Sequence, residues 1–166
     1  MELNNNIYKL KGRVMHYAWG GYEFIPSLLG IDNPEYKPFA EYWMGAHPLA
    51  PSELLTPEGP ISLFTAIQEQ PEKVISEKVY DAFGGLPYLF KVQDVKDILS
   101  IQVHPGKEEA GKGFDREEAE GIPLNAPYRN YKDRNHKPEI LVALTDFWLL
   151  HGFRQLAEIE QILIDV

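Results

Sequence analysis

The 166-residue sequence has no cysteine, no long apolar run and no excess of positive charge. Without cysteine the chain forms no disulfide, no thiolate metal site and no cysteine nucleophile. Its 16 Lys+Arg against 25 Asp+Glu give a formal net charge of −9, which argues against broad electrostatic binding to nucleic acid or anionic lipid. No apolar run approaches the roughly 18–20 residues of a membrane span, and the N-terminal segment has no signal-peptide hydrophobic region. These absences predict a cytoplasmic protein with no nucleic-acid or membrane partner.

The residues that are present indicate a β-rich globular fold. Hydrophobic residues make up 44% of the chain, and 13 Gly and 13 Pro are spread along it between short apolar runs. The runs at 88–92, 98–103 and 140–150 contain many β-branched and aromatic residues and are typical of strands. The polar segment 106–137 is poor in aliphatic residues, which predicts an exposed connection at the rim of the fold.

Two segments have helical patterns. Pro71 suits the first position of a helix that continues through 72–83 and stops at Gly84. The C-terminal segment 155–166 carries an apolar stripe at helical spacing. The sequence therefore predicts one helix after Pro71 and a second at the end of the chain.

Two predicted strands carry the side chains with the most chemistry. In the strand 97–105, alternation places Ser100, Gln102 and His104 on one face, although a solvent-exposed face gives the same pattern. In the strand 136–144, Glu139 stands at the start of an apolar run, where a buried carboxylate needs a cation. Gln102, His104 and Glu139 together supply an amide oxygen, an imidazole and a carboxylate. This donor set is competent for Zn²⁺ or a similar divalent ion.

Six short motifs resemble, in their order along the chain, those of the type I mannose-6-phosphate isomerases. The resemblance covers nearly the whole chain, and QVHP followed by HKPE is its most specific part. The motifs are AWG at 18–20, EYWMGAHP at 41–48, PYLFKV at 87–92, SIQVHP at 100–105, NHKPE at 135–139 and LHGFR at 150–154.

The resemblance implies a zinc centre. In the family, the Gln and His of QVHP and the Glu of HKPE are zinc ligands, which correspond here to Gln102, His104 and Glu139. The family's fourth ligand is a His in a later motif, and the present sequence has no counterpart of it, since His151 belongs to LHGFR. The expected cofactor is thus one Zn²⁺ held by three side chains of this chain.

The resemblance also implies a substrate pocket. Its members correspond to Trp19, Lys91 and Ser100 as substrate-binding residues, and to Glu41 and Lys137 near the reacting atoms. The lysines suit a sugar phosphate or an enediolate, and the Trp ring suits a sugar face.

The proton-transferring base stays open among Glu41, Lys137 and His136, which lies next to the site in sequence. The residue types alone also fit surface lysines, a surface carboxylate, a core Trp and an ordinary strand hydroxyl.

The fold implied by the family is a mainly β, cupin-type jelly roll with the metal inside and an inserted helical domain. On this basis residues 1–152 are the N-terminal part of the β-domain, and 153–166 begin the helical domain, so the jelly roll is partial.

The implied reaction interconverts mannose 6-phosphate and fructose 6-phosphate through an enediolate. The alternative is a non-catalytic module that binds a metal or a sugar phosphate with the first half of that site. The expected partners are the hexose 6-phosphate and either a second copy or a complementary half, because an incomplete barrel leaves unpaired strand edges and exposed apolar surface.

Overall fold

A computed structural model describes residues 7–99 and 102–165 and divides the chain into two compact units, Met1–Ile101 and Gln102–Val166. Ser100 therefore lies outside the described residues. The first unit contains six strands and four helices: β1 (Lys9–Lys11), β2 (Arg13–Met15), α1 (Phe24–Leu29), β3 (Glu41–Met44), β4 (Glu53–Thr56), β5 (Gly59–Ser62), α2 (Leu63–Glu69), α3 (Pro71–Val74), α4 (Glu77–Phe83) and β6 (Phe90–Gln93). The second unit contains α5 (Lys107–Ala119) and α6 (Leu156–Ile164). Within these described ranges, no helix is both long and apolar enough to cross a membrane.

The strands of the first unit form two antiparallel three-stranded sheets, β1-β4-β5 and β2-β3-β6. The register of the second sheet pairs Glu41 with Gln93 and Trp43 with Lys91. Because side chains alternate along a strand, these four residues share one face of the sheet. Two antiparallel sheets with short helices agree with the mainly β fold class predicted above.

The apolar core of the first unit lies between one sheet and α2. Leu54 on β4 packs with Leu63, Ala66 and Ile67 of α2, and all four side chains are buried. Ser62 starts this helix, since its hydroxyl accepts the N–H of Thr65 at 3.3 Å.

The helix predicted after Pro71 begins and ends as expected but is not continuous. Pro71 is at the start of α3, and Gly84 caps α4 in the left-handed conformation. Between them Ser76 has φ 71° and ψ 148°, a conformation that an L-residue rarely adopts and that no helix contains. The prediction of one helix is therefore wrong, and the chain makes two short ones.

The polar segment 106–137, predicted as an exposed connection, is mostly exposed and contains the helix α5, which was not predicted. The helix has no apolar stripe, which is why hydrophobic periodicity missed it. It is built from Lys, Glu and Ala, which have high helix propensity. Its buried positions, Ala110, Gly113 and Glu117, include only one apolar side chain.

The predicted strands 97–105 and 136–144, and the strand-like run 140–150, are not strands in the parts of them that the structure describes. A strand needs a hydrogen-bonding partner, and the second unit has no sheet among its described residues. Apolar side chains of the second segment are exposed as a result, Ile140 at 96% and Val142 at 75%. The helix predicted at the C-terminus is confirmed as α6.

Candidate active site

In the first unit, four side chains form a polar cluster on the β2-β3-β6 sheet. The β3/β6 cluster consists of Glu41, Trp43, Lys91 and Gln93, each placed by the alternation of its strand and by the antiparallel register. Glu41 and Lys91 were predicted from the sequence, and the structure brings these two together. Trp43 and Gln93 were not predicted, although the pattern E-x-W on one strand and K-x-Q on the other places them on the same face.

The carboxylate of Glu41 is buried at 5% exposure and fully engaged. One oxygen accepts the indole N–H of Trp43 at 2.7 Å, and the other accepts the amide N–H of Gln93 at 2.6 Å. The ammonium of Lys91 lies 3.5 Å from the second oxygen. A buried carboxylate is costly unless donors surround it, and these three groups meet that requirement.

Lys91 is held by two contacts and remains partly open to solvent. Besides its pairing with Glu41, its ammonium lies 5.1 Å from the centroid of the Trp43 ring, in a cation–π contact. Its side chain is 30% exposed. The ammonium of Lys91 is thus held in position while part of it stays accessible, which suits donation to an oxygen of a ligand.

Trp19 is half-buried beside Tyr17, with the two rings stacked at 5.6 Å. Its backbone carbonyl accepts the N–H groups of Lys96 and Asp97, which fixes the chain at this position. Burial, and secondarily the negative charge of Glu41, raise the pKa of the Tyr17 hydroxyl. Tyr17 is therefore a neutral donor at neutral pH, and sequence reasoning missed it because a single Tyr carries no motif.

In the second unit, two predicted metal ligands meet. The Nε2 atom of His104 lies 3.5 Å from Oε2 of Glu139, with the His side chain 34% exposed and the Glu side chain 65% exposed. Both atoms are donors suited to a divalent cation. Gln102 and Lys137 line a cavity of about 660 Å³ together with His104. His136 is exposed.

The donor set of this cavity fits Zn²⁺ chemically. An imidazole and a carboxylate stand within reach of a single ion, and the Gln102 amide lines the same cavity as His104. Among residues 7–99 and 102–165, no group of three or more His, Cys, Asp or Glu is placed to hold a metal. A third protein ligand from the described residues must therefore be an amide such as that of Gln102.

A buried ion pair, one member of which lines the cavity, was not predicted. Glu117 of α5 and Arg129 are 4% and 3% exposed, and their side chains approach to 3.7 Å. Nothing in the run DREEAEG separates a buried Glu from a solvated one, because charged runs usually mark exposed helix faces.

The chain is similar to one protein family over most of its length. The family described as "Phosphomannose isomerase type I, catalytic domain" matches residues 7–156. The mannose-6-phosphate isomerase of Salmonella typhimurium is 46% identical over 156 residues, which is 93% of this chain and 40% of that protein. The human mannose-6-phosphate isomerase is 40% identical over 164 residues, 92% of this chain and 36% of that protein.

Solved structures show the same relation. A crystal structure of the Salmonella typhimurium mannose 6-phosphate isomerase, bound to fructose 6-phosphate (f6p) and zinc, superposes with a TM-score of 0.74 at 46% identity. It covers 80% of this chain, which in turn covers 34% of that one. A zinc-bound mannose 6-phosphate isomerase gives a TM-score of 0.73. The predicted fold class, a partial cupin-type β-fold with a few helices, is confirmed by this similarity, whereas the predicted boundary between residues 152 and 153 stays a prediction.

Proposed function

We propose that this chain, which belongs to the type I phosphomannose isomerase family, carries part of a zinc-dependent site for the interconversion of mannose 6-phosphate and fructose 6-phosphate. The chain spans about 40% of the length of the relatives it matches, so their activity comes to it as a proposal. The observation that supports it most directly is the 3.5 Å approach of His104 Nε2 to Glu139 Oε2 beside the cavity.

Gln102, His104 and Glu139 are the residues proposed to hold Zn²⁺. When bound, the ion supplies Lewis-acid stabilisation of the negative charge that develops on the substrate oxygens. The single carboxylate among the three ligands leaves the ion with net positive charge. The proposal needs no further ligand from the first unit.

The reaction moves a proton between two neighbouring carbons through an enediolate, so a base must reach the migrating proton. Lys137 lines the same cavity as Gln102 and His104, which supports a role at the reacting carbons. His136 is its exposed neighbour in the chain and an alternative base. Glu41 is less suited, because both of its oxygens already accept hydrogen bonds. We assign Glu41 to holding Lys91 in place.

Lys91, Trp19 and Ser100 are proposed to bind the substrate. The ammonium of Lys91, fixed by Glu41 and by the Trp43 ring, suits a phosphate or a sugar hydroxyl. Trp19 offers an aromatic face for the apolar side of a sugar ring. Ser100 retains the role that the family motif implies.

The experiment that tests the function is a coupled isomerase assay on the 166-residue chain with added Zn²⁺. We expect turnover of mannose 6-phosphate that is lost in Gln102→Ala and in His104→Ala. The matched control is His16→Ala, a histidine of the first unit whose ring contacts the carbonyl of Pro38 and the ring of Phe39. Equal activity in His104→Ala and His16→Ala would refute the proposed site.

A second candidate function is the binding of Zn²⁺ or a hexose phosphate without turnover. The fourth ligand that the resemblance implies has no counterpart in this sequence. In that case the chain binds Zn²⁺ or hexose phosphate, loses the binding in His104→Ala, and shows no isomerase activity. Measuring metal binding and turnover on the same preparations separates the two functions.

A further inference from the structure

Helix α5 connects the two arms of the proposed metal site. One arm ends at His104, and only Pro105 and Gly106 separate this residue from the first turn of the helix. The other arm is the segment 129–139, which ends at Glu139. The two arms are far apart in sequence, so something must bring their side chains to the observed 3.5 Å.

Three contacts tie the second arm to the helix. The carboxylate of Glu117, near the C-terminal end of α5, accepts the backbone N–H groups of Asn130 at 3.1 Å and Tyr131 at 2.8 Å. Asp115 pairs with Arg134, with one contact of 3.0 Å. Lys107, the first residue of the helix, donates to Asn135 at 2.5 Å. We call these three contacts the α5 brace.

The contacts of the brace follow the helix in reverse order. Residues 130 and 131 bond to Glu117, residue 134 pairs with Asp115, and residue 135 bonds to Lys107. The segment therefore runs back along the helix toward its first turn. A helix rises about 1.5 Å per residue, so the return from position 117 to position 107 spans about 15 Å. The segment therefore arrives at the helix end that carries His104.

Glu117 is the buried member of the brace. Glu117 is 4% exposed, whereas the side chains of Asp115 and Arg134 are 53% and 60% exposed. Exposed ion pairs contribute little to stability, because solvent screens them. Arg129 adds to the buried tie, because its guanidinium donates to the carbonyls of Tyr131 and Ile122 and lies 4.9 Å from the Phe114 ring.

We propose that Glu117 is a positioning residue for the proposed metal ligands: through its hydrogen bonds to Asn130 and Tyr131 it sets the path of the chain that brings Glu139 to His104. This inference rests on the proposed function, since it assigns a purpose to the ligand pair. Glu117 acts through the backbone of Asn130 and Tyr131, both of which line the cavity.

The first test measures the affinity for Zn²⁺ alone, by competition with a chelator, at a temperature well below the unfolding midpoint of each variant. Glu117→Gln keeps one acceptor oxygen and turns an NH₂ group toward a backbone donor, so one of the two N–H bonds is lost. We expect the dissociation constant to rise about 10- to 100-fold, as for other outer partners of metal ligands. Glu117→Asp, which keeps both oxygens, should recover part of the affinity. The matched control is Glu120→Gln, an exposed residue at the end of the same helix.

The second test needs no metal. Because the chain has no cysteine, the double variant His104→Cys/Glu139→Cys contains the only two thiols. We expect a short bifunctional maleimide to join them rapidly, and we expect Glu117→Gln to slow that reaction while Glu120→Gln does not. An unchanged cross-linking rate in Glu117→Gln would overturn the inference. Failure of the wild-type chain to bind Zn²⁺ would instead refute the metal site of the proposed function.

If Glu117→Gln does not fold, as judged by near-ultraviolet circular dichroism, Asp115→Asn takes its place. This exposed tie should give a smaller loss of cross-linking in the same direction. No change in Asp115→Asn, together with an unfolded Glu117→Gln, would show that Glu117 maintains the fold of the unit and does not position the ligands.

Discussion

At the scale of single residues, two buried carboxylates organise the polar chemistry of the chain. Glu41 accepts N–H groups from the side chains of Trp43 and Gln93, whereas Glu117 accepts them mainly from the backbone. Each carboxylate has a cation nearby, Lys91 or Arg129 respectively. Since every oxygen is engaged, both residues are better suited to hold their neighbours than to transfer a proton.

Gln93 should contribute to stability through Glu41. Replacing Gln93 by Leu keeps the approximate volume of the side chain but removes the hydrogen bond of 2.6 Å to a buried oxygen of Glu41. Among the described residues, Lys91 is then the remaining partner of that oxygen. We expect Gln93→Leu to lower the free energy of unfolding by about 1 to 2 kcal/mol in urea titrations. Gln155→Leu is the control, because Gln155 is exposed and makes no capping bond. Equal stability of the two variants would contradict this account of Glu41.

Glu117 should make the chain sensitive to acid. Burial raises the pKa of its carboxyl, but the N–H groups of Tyr131 and Asn130, with Arg129, outweigh burial and hold the pKa below the ordinary value of 4.5. A carboxyl with a lowered folded-state pKa stabilises the fold above the unfolded-state value, and that stabilisation is lost as the pH falls through the folded-state value.

The measurement is the urea midpoint of the wild-type chain and of Glu117→Gln from about pH 6 down to about pH 3. We expect the wild-type chain to be the more stable at the upper end and the difference to shrink below pH 4.5, the unshifted value. A difference that is constant across this range would mean that the charge of Glu117 does not matter.

At the scale of elements, the two glycines of α5 have different surroundings: one is packed against an aromatic ring and the other has open space. Gly113 faces Tyr131, and a Cβ at this position would overlap the aromatic ring. Gly111, half a turn away on the same helix, has open space around the same position. The helix therefore packs closely against the segment 129–135 on one side only.

Alanine substitutions at these two glycines should have opposite effects. Gly111→Ala should stabilise the chain by about 0.5 to 1 kcal/mol, because glycine is unfavourable within a helix. Gly113→Ala should destabilise it by about 1 to 3 kcal/mol, because the methyl group displaces Tyr131. Unfolding free energies of the pair, measured in parallel, check both signs. Stabilisation by Gly113→Ala would show that Tyr131 is not packed on the helix.

The elements also show what the sequence can and cannot predict. Pro71 and Gly84 mark helix ends through their backbone restrictions, and both were predicted correctly. The break at Ser76 was missed, because neither glycine nor proline marks this position in the sequence. Segments 97–105 and 140–150 have the composition of strands, but a strand forms only where a partner strand exists. The residues proposed for the site came from motifs, whereas Trp43, Gln93 and Glu117 required the register and the packing.

At the scale of the whole molecule, the C-terminal part of the chain exposes many apolar side chains. Trp148 is 96% exposed, Leu150 90% and Phe153 85%, and the face of α6 adds Leu156 at 70%. Soluble monomers rarely expose contiguous apolar patches larger than a few hundred Å². The partner expected from the sequence, a second copy or a complementary half, is consistent with this surface.

We therefore expect the isolated chain to self-associate. Light scattering over a concentration series should give an average mass that rises with concentration. The double variant Trp148→Lys/Leu150→Lys should reduce this association, because it places two charges within the exposed apolar segment. Ile7→Lys/Leu49→Lys is the matched control, with both residues 88% exposed in the first unit. A monomer at every concentration would contradict the prediction.

The α5 brace has a further consequence for how the proposed site forms. The ligands, the helix and its ties all lie in one continuous stretch, 102–139. The contacts that build the site therefore close loops no longer than this stretch, and the entropy cost of closing a loop grows with its length. An ion shared by His104 and Glu139 would act on the unfolded chain as a cross-link between the ends of this stretch. Binding of the metal and folding of the second unit would then be coupled, so that each would promote the other.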